Sequence, residues 1–182
     1  SSFLKRTYYW IKYKNKLANV KLLVLDVDGV LTDGGLWLNS EGDLSKRFDV
    51  RDGLGIRLLL ENGIEIAFLS GGQPGASEKR AEHLGVKHCF VGIKDKAKLI
   101  SKIQHSLGFQ PSNTIYIGDD LNDLCILKRV GLAMTVADAP AIIKQHVHCT
   151  TTRKGGYGAL REVCDALLDV QGHWEKLLQG LA

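Results

Sequence analysis

From Lys21 onward, short runs of almost continuous apolar residues alternate with amphipathic stretches. The runs cover 22–27, 64–69, 89–91, 114–117 and 132–136. Each is short and apolar throughout, the pattern of strands buried on both faces of a parallel sheet. Between them, 54–61, 76–84, 97–107, 121–128 and 139–145 read as helices, and a last helix covers about 159–170. Gly63, Gly85 and Gly108 follow three of these and read as helix C-caps. Strand–helix alternation of this kind predicts an α/β fold with a doubly wound, Rossmann-like parallel sheet.

One segment breaks the pattern. Residues 34–50 hold Leu36-Trp37-Leu38, a polar turn Asn39-Ser40-Glu41-Gly42-Asp43, then a return through Leu44 to Phe48. This reads as a β-hairpin flap inserted just after the first strand. Two strands alone are marginal in water, so the apolar hairpin should rest on this subunit or on a neighbour.

At 182 residues, 45% of them hydrophobic, the chain can form one domain with a real core. No run approaches the length that spans a bilayer, and no secretory leader is evident. Four scattered cysteines, Cys89, Cys125, Cys149 and Cys164, read as reduced thiols of a cytoplasmic protein. Five of the 24 basic side chains lie in residues 1–20, which hold no acid, so 19 face 20 acids over 21–182. The body is near neutral, and no nucleic-acid or membrane partner is expected of it. Residues 1–20 are set apart as a basic, aromatic segment containing Phe3, Tyr8, Tyr9, Trp10 and Tyr13. RNA or membrane-surface binding is one reading of such a segment. A terminal helix docking its aromatics on the domain, or on a second subunit, is the other.

The chemistry concentrates where apolar runs end. Leu25-Asp26-Val27-Asp28-Gly29 carries two carboxylates at i and i+2 directly after a strand. In parallel sheets, ligands bind at the carboxyl ends of strands. A second cluster, Gly118-Asp119-Asp120-Leu121-Asn122-Asp123, follows another apolar run. Helix capping explains one acid in each cluster but not all of them. Two such clusters can build an oxygen-ligand site suited to Mg²⁺. Zinc-type His/Cys spacing is absent; His146-x-His148-Cys149 comes nearest and reads as a short strand. Ser70-Gly71-Gly72 ends a third run with a hydroxyl and an amide-rich turn able to cradle an anion. Lys96 opens a predicted helix, where Lys94, Lys98 and Lys102 compete with it.

In this order, Asp26-Val27-Asp28-Gly29, Ser70, Lys96 and Gly118-Asp119-Asp120-x-x-Asp123 resemble the four motifs of the haloacid dehalogenase superfamily. Phe48-Asp49-Val50-Arg51-Asp52-Gly53-Leu54-Gly55 and Gly155-Gly156-x-Gly158-Ala159-Leu160-Arg161-Glu162 resemble its 3-deoxy-D-manno-octulosonate 8-phosphate phosphatases, and equally a related domain fused to some sialic-acid-activating enzymes. The resemblance implies a Mg²⁺-dependent phosphatase of lipopolysaccharide biosynthesis. Asp26 would attack phosphorus, Asp28 would act as acid and then base, and Ser70 and Lys96 would hold the phosphoryl oxygens. Asp26, the Asp28 carbonyl and Asp119 would hold the metal, supported by Asp120 and Asp123.

Only 43 residues separate Asp26 from Ser70, and 25 separate Ser70 from Lys96, so no cap domain fits. An open site excludes water poorly. The resembling family covers it by forming tetramers, and a homotetramer is expected here. Two positions depart from that family: Gly72 stands where arginine usually follows Gly71, and Tyr157 replaces the arginine of Gly-Gly-Arg-Gly. Gly71, Gly72, Arg51 and Arg80 are the candidate substrate-binding residues, and Lys79 and Lys154 are further cations able to compensate. Competing readings are a phosphatase for another acid sugar, such as a sialic-acid-type 9-phosphate, a catalytically idle oligomerisation domain, and a phospho-accepting receiver. The acid at Asp28 argues against the receiver.

Overall fold

A computed structural model describes residues 5–120 and 124–180. Two short helices, α1 (Tyr8–Lys12) and α2 (Lys14–Ala18), precede β1 (Leu22–Asp26). A tight turn over Val27–Leu31 leads to the hairpin β2 (Trp37–Leu38) and β3 (Leu44–Ser45). Then follow α3 (Val50–Glu61), β4 (Glu65–Ser70), α4 (Ala76–Leu84), β5 (His88–Val91), α5 (Lys96–Leu107) and β6 (Thr114–Ile117). The chain continues through β7 (Leu132–Thr135), α6 (Ala141–His146), β8 (Cys149–Thr150), α7 (Ala159–Val170) and α8 (His173–Gln179).

The main sheet has the order β5-β4-β1-β6-β7-β8, and every pairing in it is parallel. From β1 the chain works outward through β4 to β5, then crosses back to β6 on the other side of β1. The strand order therefore reverses beside β1, and a crevice opens at the carboxyl ends of β1, β4 and β6. Alternation along β1 explains why the run is wholly apolar. Leu23 and Leu25 pack with Ile56, Leu59, Leu160 and Val163 of α3 and α7. Leu22 and Val24 face the other way, toward Ile100 and Ile103 of α5. The result is a three-layer α/β sandwich with a hairpin flap; no cap domain interrupts it among the described residues.

The N-terminal segment belongs to this core. Tyr9, Trp10 and Leu17 are buried in it. The Tyr9 hydroxyl donates to Glu162 Oε2 at 2.7 Å, and Trp10 Nε1 donates to Asp169 Oδ2 at 2.9 Å. Arg6 pairs with the same Asp169 oxygen at 2.9 Å. Of the two readings of this segment, docking on the domain is the arrangement found.

The hairpin forms as expected, with Leu38 opposite Leu44 and Asn39 Oδ1 accepting from the Glu41 and Asp43 amides. The helix expected over 121–128 is, in its described part, a 3₁₀ turn over Leu124–Lys128. The short strand expected over His146-x-His148-Cys149 begins only at Cys149, since His146 closes α6, and His148 Nδ1 accepts from the Ala133 amide at 2.9 Å. Cys89, Cys149 and Cys164 are free thiols. No helix among the described residues is long and apolar enough to cross a membrane.

Candidate active site

Asp26 is the last residue of β1 and is 4% exposed. Its Oδ2 lies 3.1 Å from Lys96 Nζ, and its Oδ1 accepts from the Tyr116 hydroxyl at 3.0 Å. Burial pushes the carboxyl from an ordinary 3.8 up to about 6, with Lys96 and Tyr116 pulling against the shift. Lys96 is selected by helix phase. Asp95 caps α5 by accepting from the Lys98 amide at 3.0 Å, which turns the first residue of the helix inward. Lys94, Lys98 and Lys102 remain exposed.

Beyond Asp26 the chain turns sharply. Asp28 is extended (φ −70°, ψ 125°) and Gly29 has φ +83°. A Cβ at Gly29 would stand 1.8 Å from Asp119 Oδ2, so glycine is required by both conformation and space. Thr32 Oγ1 fastens the turn by accepting from the Gly29 and Gly34 amides. The 155–156 loop presses on it from outside. A Cβ at Gly155 would meet the Gly29 carbonyl oxygen at 1.8 Å, and the Gly156 amide donates to Val30 O. The loop is held in turn by Glu162, whose carboxylate accepts from the amides of Thr152 and Arg153 and from the Tyr9 hydroxyl. The second glycine-rich motif thus shapes the Asp28 turn through its backbone.

Ser70 ends β4, buried, and its Oγ accepts from the Gly72 amide at 3.3 Å. Asp119 follows β6. Burial raises its pKa, and the like charges of Asp120 and Asp28 add to the shift. Asp120 is exposed, and Asp123 lies outside the described residues. Asp26, Asp28, Ser70, Lys96 and Asp119 therefore gather at one end of the sheet.

No group of three or more His, Cys, Asp or Glu side chains that could hold a metal occurs among the described residues. A Mg²⁺ site needs no such cage, since this ion is commonly held by one or two carboxylates together with waters and substrate phosphate. Two carboxylates whose pKa values are both raised, beside a turn that brings Gly29 onto Asp119, fit a divalent cation.

The candidate substrate-binding arginines have other contacts. Arg80 stacks 5.4 Å from the Phe48 ring and donates to Asp49 O at 3.3 Å. Arg51 is largely exposed and lies 3.6 Å from Asp49. The Phe48–Gly55 motif also locks α3 to α7, because the Arg161 amide donates to buried Asp52 at 2.9 Å. Tyr157 donates to Asp33 at 3.3 Å and lies under Arg47, whose guanidinium is 4.3 Å from the ring centre.

Sequence reasoning missed two site residues. Tyr116 reads as one more apolar strand position, though as the only hydroxyl-tipped aromatic in its run it carried a weak signal. Lys46 Nζ reaches Asp28 Oδ1 at 2.9 Å from the returning hairpin strand, where nothing distinguished it from its polar neighbours.

Residues 92–160 match the family model described as haloacid dehalogenase-like hydrolase. The 3-deoxy-D-manno-octulosonate 8-phosphate phosphatase of Yersinia pestis is 41% identical over 160 residues, which cover 88% of this chain and 86% of that protein. The corresponding phosphatase of Haemophilus influenzae, solved in a cobalt-bound form, superposes with a TM-score of 0.82 at 41% identity, covering 86% of this chain and 92% of that one. That of Moraxella catarrhalis, solved with a magnesium ion, a phosphate ion and a KDO molecule, gives a TM-score of 0.89 at 34% identity, covering 94% and 98%.

Proposed function

The chain belongs to the 3-deoxy-D-manno-octulosonate 8-phosphate phosphatases of the haloacid dehalogenase superfamily, and on that premise we propose that it hydrolyses this acid-sugar phosphate through an aspartyl-phosphate on Asp26. The observation that carries the reading is the buried Asp26 carboxylate, bonded to Lys96 and Tyr116, with Asp28 two residues on. A dianionic ester approached by a carboxylate requires positive charge at the site. Asp26 attacks phosphorus as the ester P–O bond breaks, and Asp28 gives its proton to the departing sugar oxygen. Asp28 then takes a proton from water, which attacks the same phosphorus and releases phosphate and free Asp26. Lys96 and the Ser70 hydroxyl hold the transferring oxygens. Asp26, the Asp28 carbonyl and Asp119 would hold Mg²⁺, with Asp120 and Asp123 in support. When bound, the ion supplies positive charge against the phosphoryl oxygens.

Residues 1–20 are an accessory segment of the 21–182 phosphatase domain, and the Tyr9 and Trp10 contacts support docking of its described part, residues 5–20. The working form is a closed homotetramer with the hairpin at its interface. Leu36, Trp37 and Leu38 are 54%, 74% and 69% exposed, and Val50 and Leu54 at the start of α3 extend the apolar surface.

The test is phosphate release from a panel of phosphorylated sugar acids. With Mg²⁺, turnover should be fastest on 3-deoxy-D-manno-octulosonate 8-phosphate, should stop in EDTA, and should be poorly restored by Ca²⁺. Faster turnover of a sialic-acid-type 9-phosphate would replace the substrate. A stable stoichiometric phosphoprotein, or no phosphate chemistry, would refute the phosphatase.

A further inference from the structure

Lys46 is a half-buried residue whose ammonium lies beside the residue read as the general acid. Its side chain is only 6% exposed, and Nζ lies 2.9 Å from Asp28 Oδ1 and 3.3 Å from Ser77 Oγ. Ser77, at the start of α4, is itself fully buried. The position of a Cβ built on Gly72 marks a small gap beside these groups, 3.5 Å from Ser70 Oγ, 3.6 Å from Asp28 Oδ2 and 3.9 Å from Lys46 Nζ. Because residue 72 is glycine, no side chain fills that gap.

Position decides what Lys46 can touch. Asp26 and Lys96 lie on the phosphoryl side, whereas Asp28 must reach the oxygen that joins phosphorus to the sugar. An ammonium ion-paired to Asp28 Oδ1 at 2.9 Å stands at most about 6 Å from a leaving oxygen that the same carboxyl oxygen serves across one further contact of about 3 Å. It can reach substituents on the first carbons of the leaving group but not the far end of an eight-carbon chain. Those first carbons carry hydroxyls in a sugar phosphate and none in an aryl phosphate. Lys46 is held away from water, so a hydrogen bond it gives there is charge-assisted and little screened.

We propose that Lys46 is a specificity-determining residue, and that the gap over Gly72 is a subsite for the hydroxylated carbons next to the phosphoester. The inference rests on the phosphatase reading above. It assigns selection of a polyol leaving group to the hairpin of this chain and leaves the distant carboxylate to other groups.

The experiment measures kcat/KM for wild type, Lys46→Met and Lys46→Arg on three esters. These are 3-deoxy-D-manno-octulosonate 8-phosphate, D-arabinose 5-phosphate (as substrate or competitive inhibitor) and p-nitrophenyl phosphate. Loss of one charge-assisted contact should lower the ratio of acid-sugar to aryl-phosphate turnover by about 10- to 100-fold in Lys46→Met. Binding or turnover of the arabinose ester, which has hydroxyls but no carboxylate, should weaken alongside, and Lys46→Arg should restore part of the ratio. Thermal melting checks the fold; should Lys46→Met not fold, Lys46→Gln reads the same ratio. An unchanged ratio would overturn the inference, since Lys46 would then serve all esters alike through Asp28 or the fold. Loss confined to the acid sugar would also overturn it, in favour of a carboxylate contact. Wild type inactive on every ester would instead remove the phosphatase reading itself.

Discussion

Replacing Asp52 by asparagine should make the protein more stable at neutral pH. Asp52 is fully buried in the first turn of α3, and one oxygen accepts from the Arg161 amide at 2.9 Å. Its other oxygen finds no hydrogen-bond partner. Burial raises its pKa from 3.8 to about 6, and the neighbouring charge of Asp49 adds to the shift. Between these values the folded state holds a proton that the unfolded state has released. Stability conferred by the neutral carboxyl is therefore full below about pH 4 and is lost as pH rises through about 6. A shift of about two units corresponds to about 3 kcal/mol of destabilisation at pH 8. Asparagine keeps the acceptor for Arg161 and removes the buried charge, but its amide bond to Arg161 is weaker than that of a carboxylate. The net gain should be about 1–2 kcal/mol at pH 8. Urea unfolding of wild type and Asp52→Asn at pH 4 and pH 8 measures it. The variant's advantage should shrink or vanish at pH 4. A variant less stable than wild type at pH 8 would show that the carboxylate is worth more to α7 than its burial costs.

Three further outcomes follow from the geometry. Gly29→Ala should cut activity by at least about 100-fold, because its Cβ would press on Asp119 Oδ2, and the Mg²⁺ dependence of the residual rate should shift to higher concentration. Tyr9→Phe should cost about 1.5–3 kcal/mol in denaturant unfolding, because Glu162 loses a buried hydroxyl partner. Trp37→Glu should shift the assembly toward smaller species in light scattering at micromolar concentration; an unchanged mass would remove the hairpin from the interface.

The fold was legible where burial made the code simple. A strand flanked by partners on both sides and covered on both faces has few polar positions away from its ends, so β1, β4 and β6 announce themselves as largely apolar runs. The motif acids were legible for the complementary reason, since carboxylates directly after such runs have no structural use that needs so many. The start of α3 was harder, because Asp49, Arg51 and Asp52 look like loop residues until Asp49 caps the helix and Asp52 receives the Arg161 amide. Lys46 was illegible because its role depends on how the hairpin folds back over Asp28, a contact between segments that no local period encodes. Tyr116 was hidden by its own ring, which packs as a core residue while its hydroxyl reaches Asp26.

The central claim is that Asp26 carries the phosphoryl group, and trapping that intermediate tests it most directly. Acid-quenched turnover of wild type, reduced with borohydride and digested for peptide mass spectrometry, should give homoserine at position 26 and no other site. Asp26→Asn should give no trapped product and less than about one per cent of wild-type turnover, a loss of at least about 10²-fold, where the worth of a general acid or base alone begins. A reduced residue elsewhere, or an active Asp26→Asn, would contradict the account.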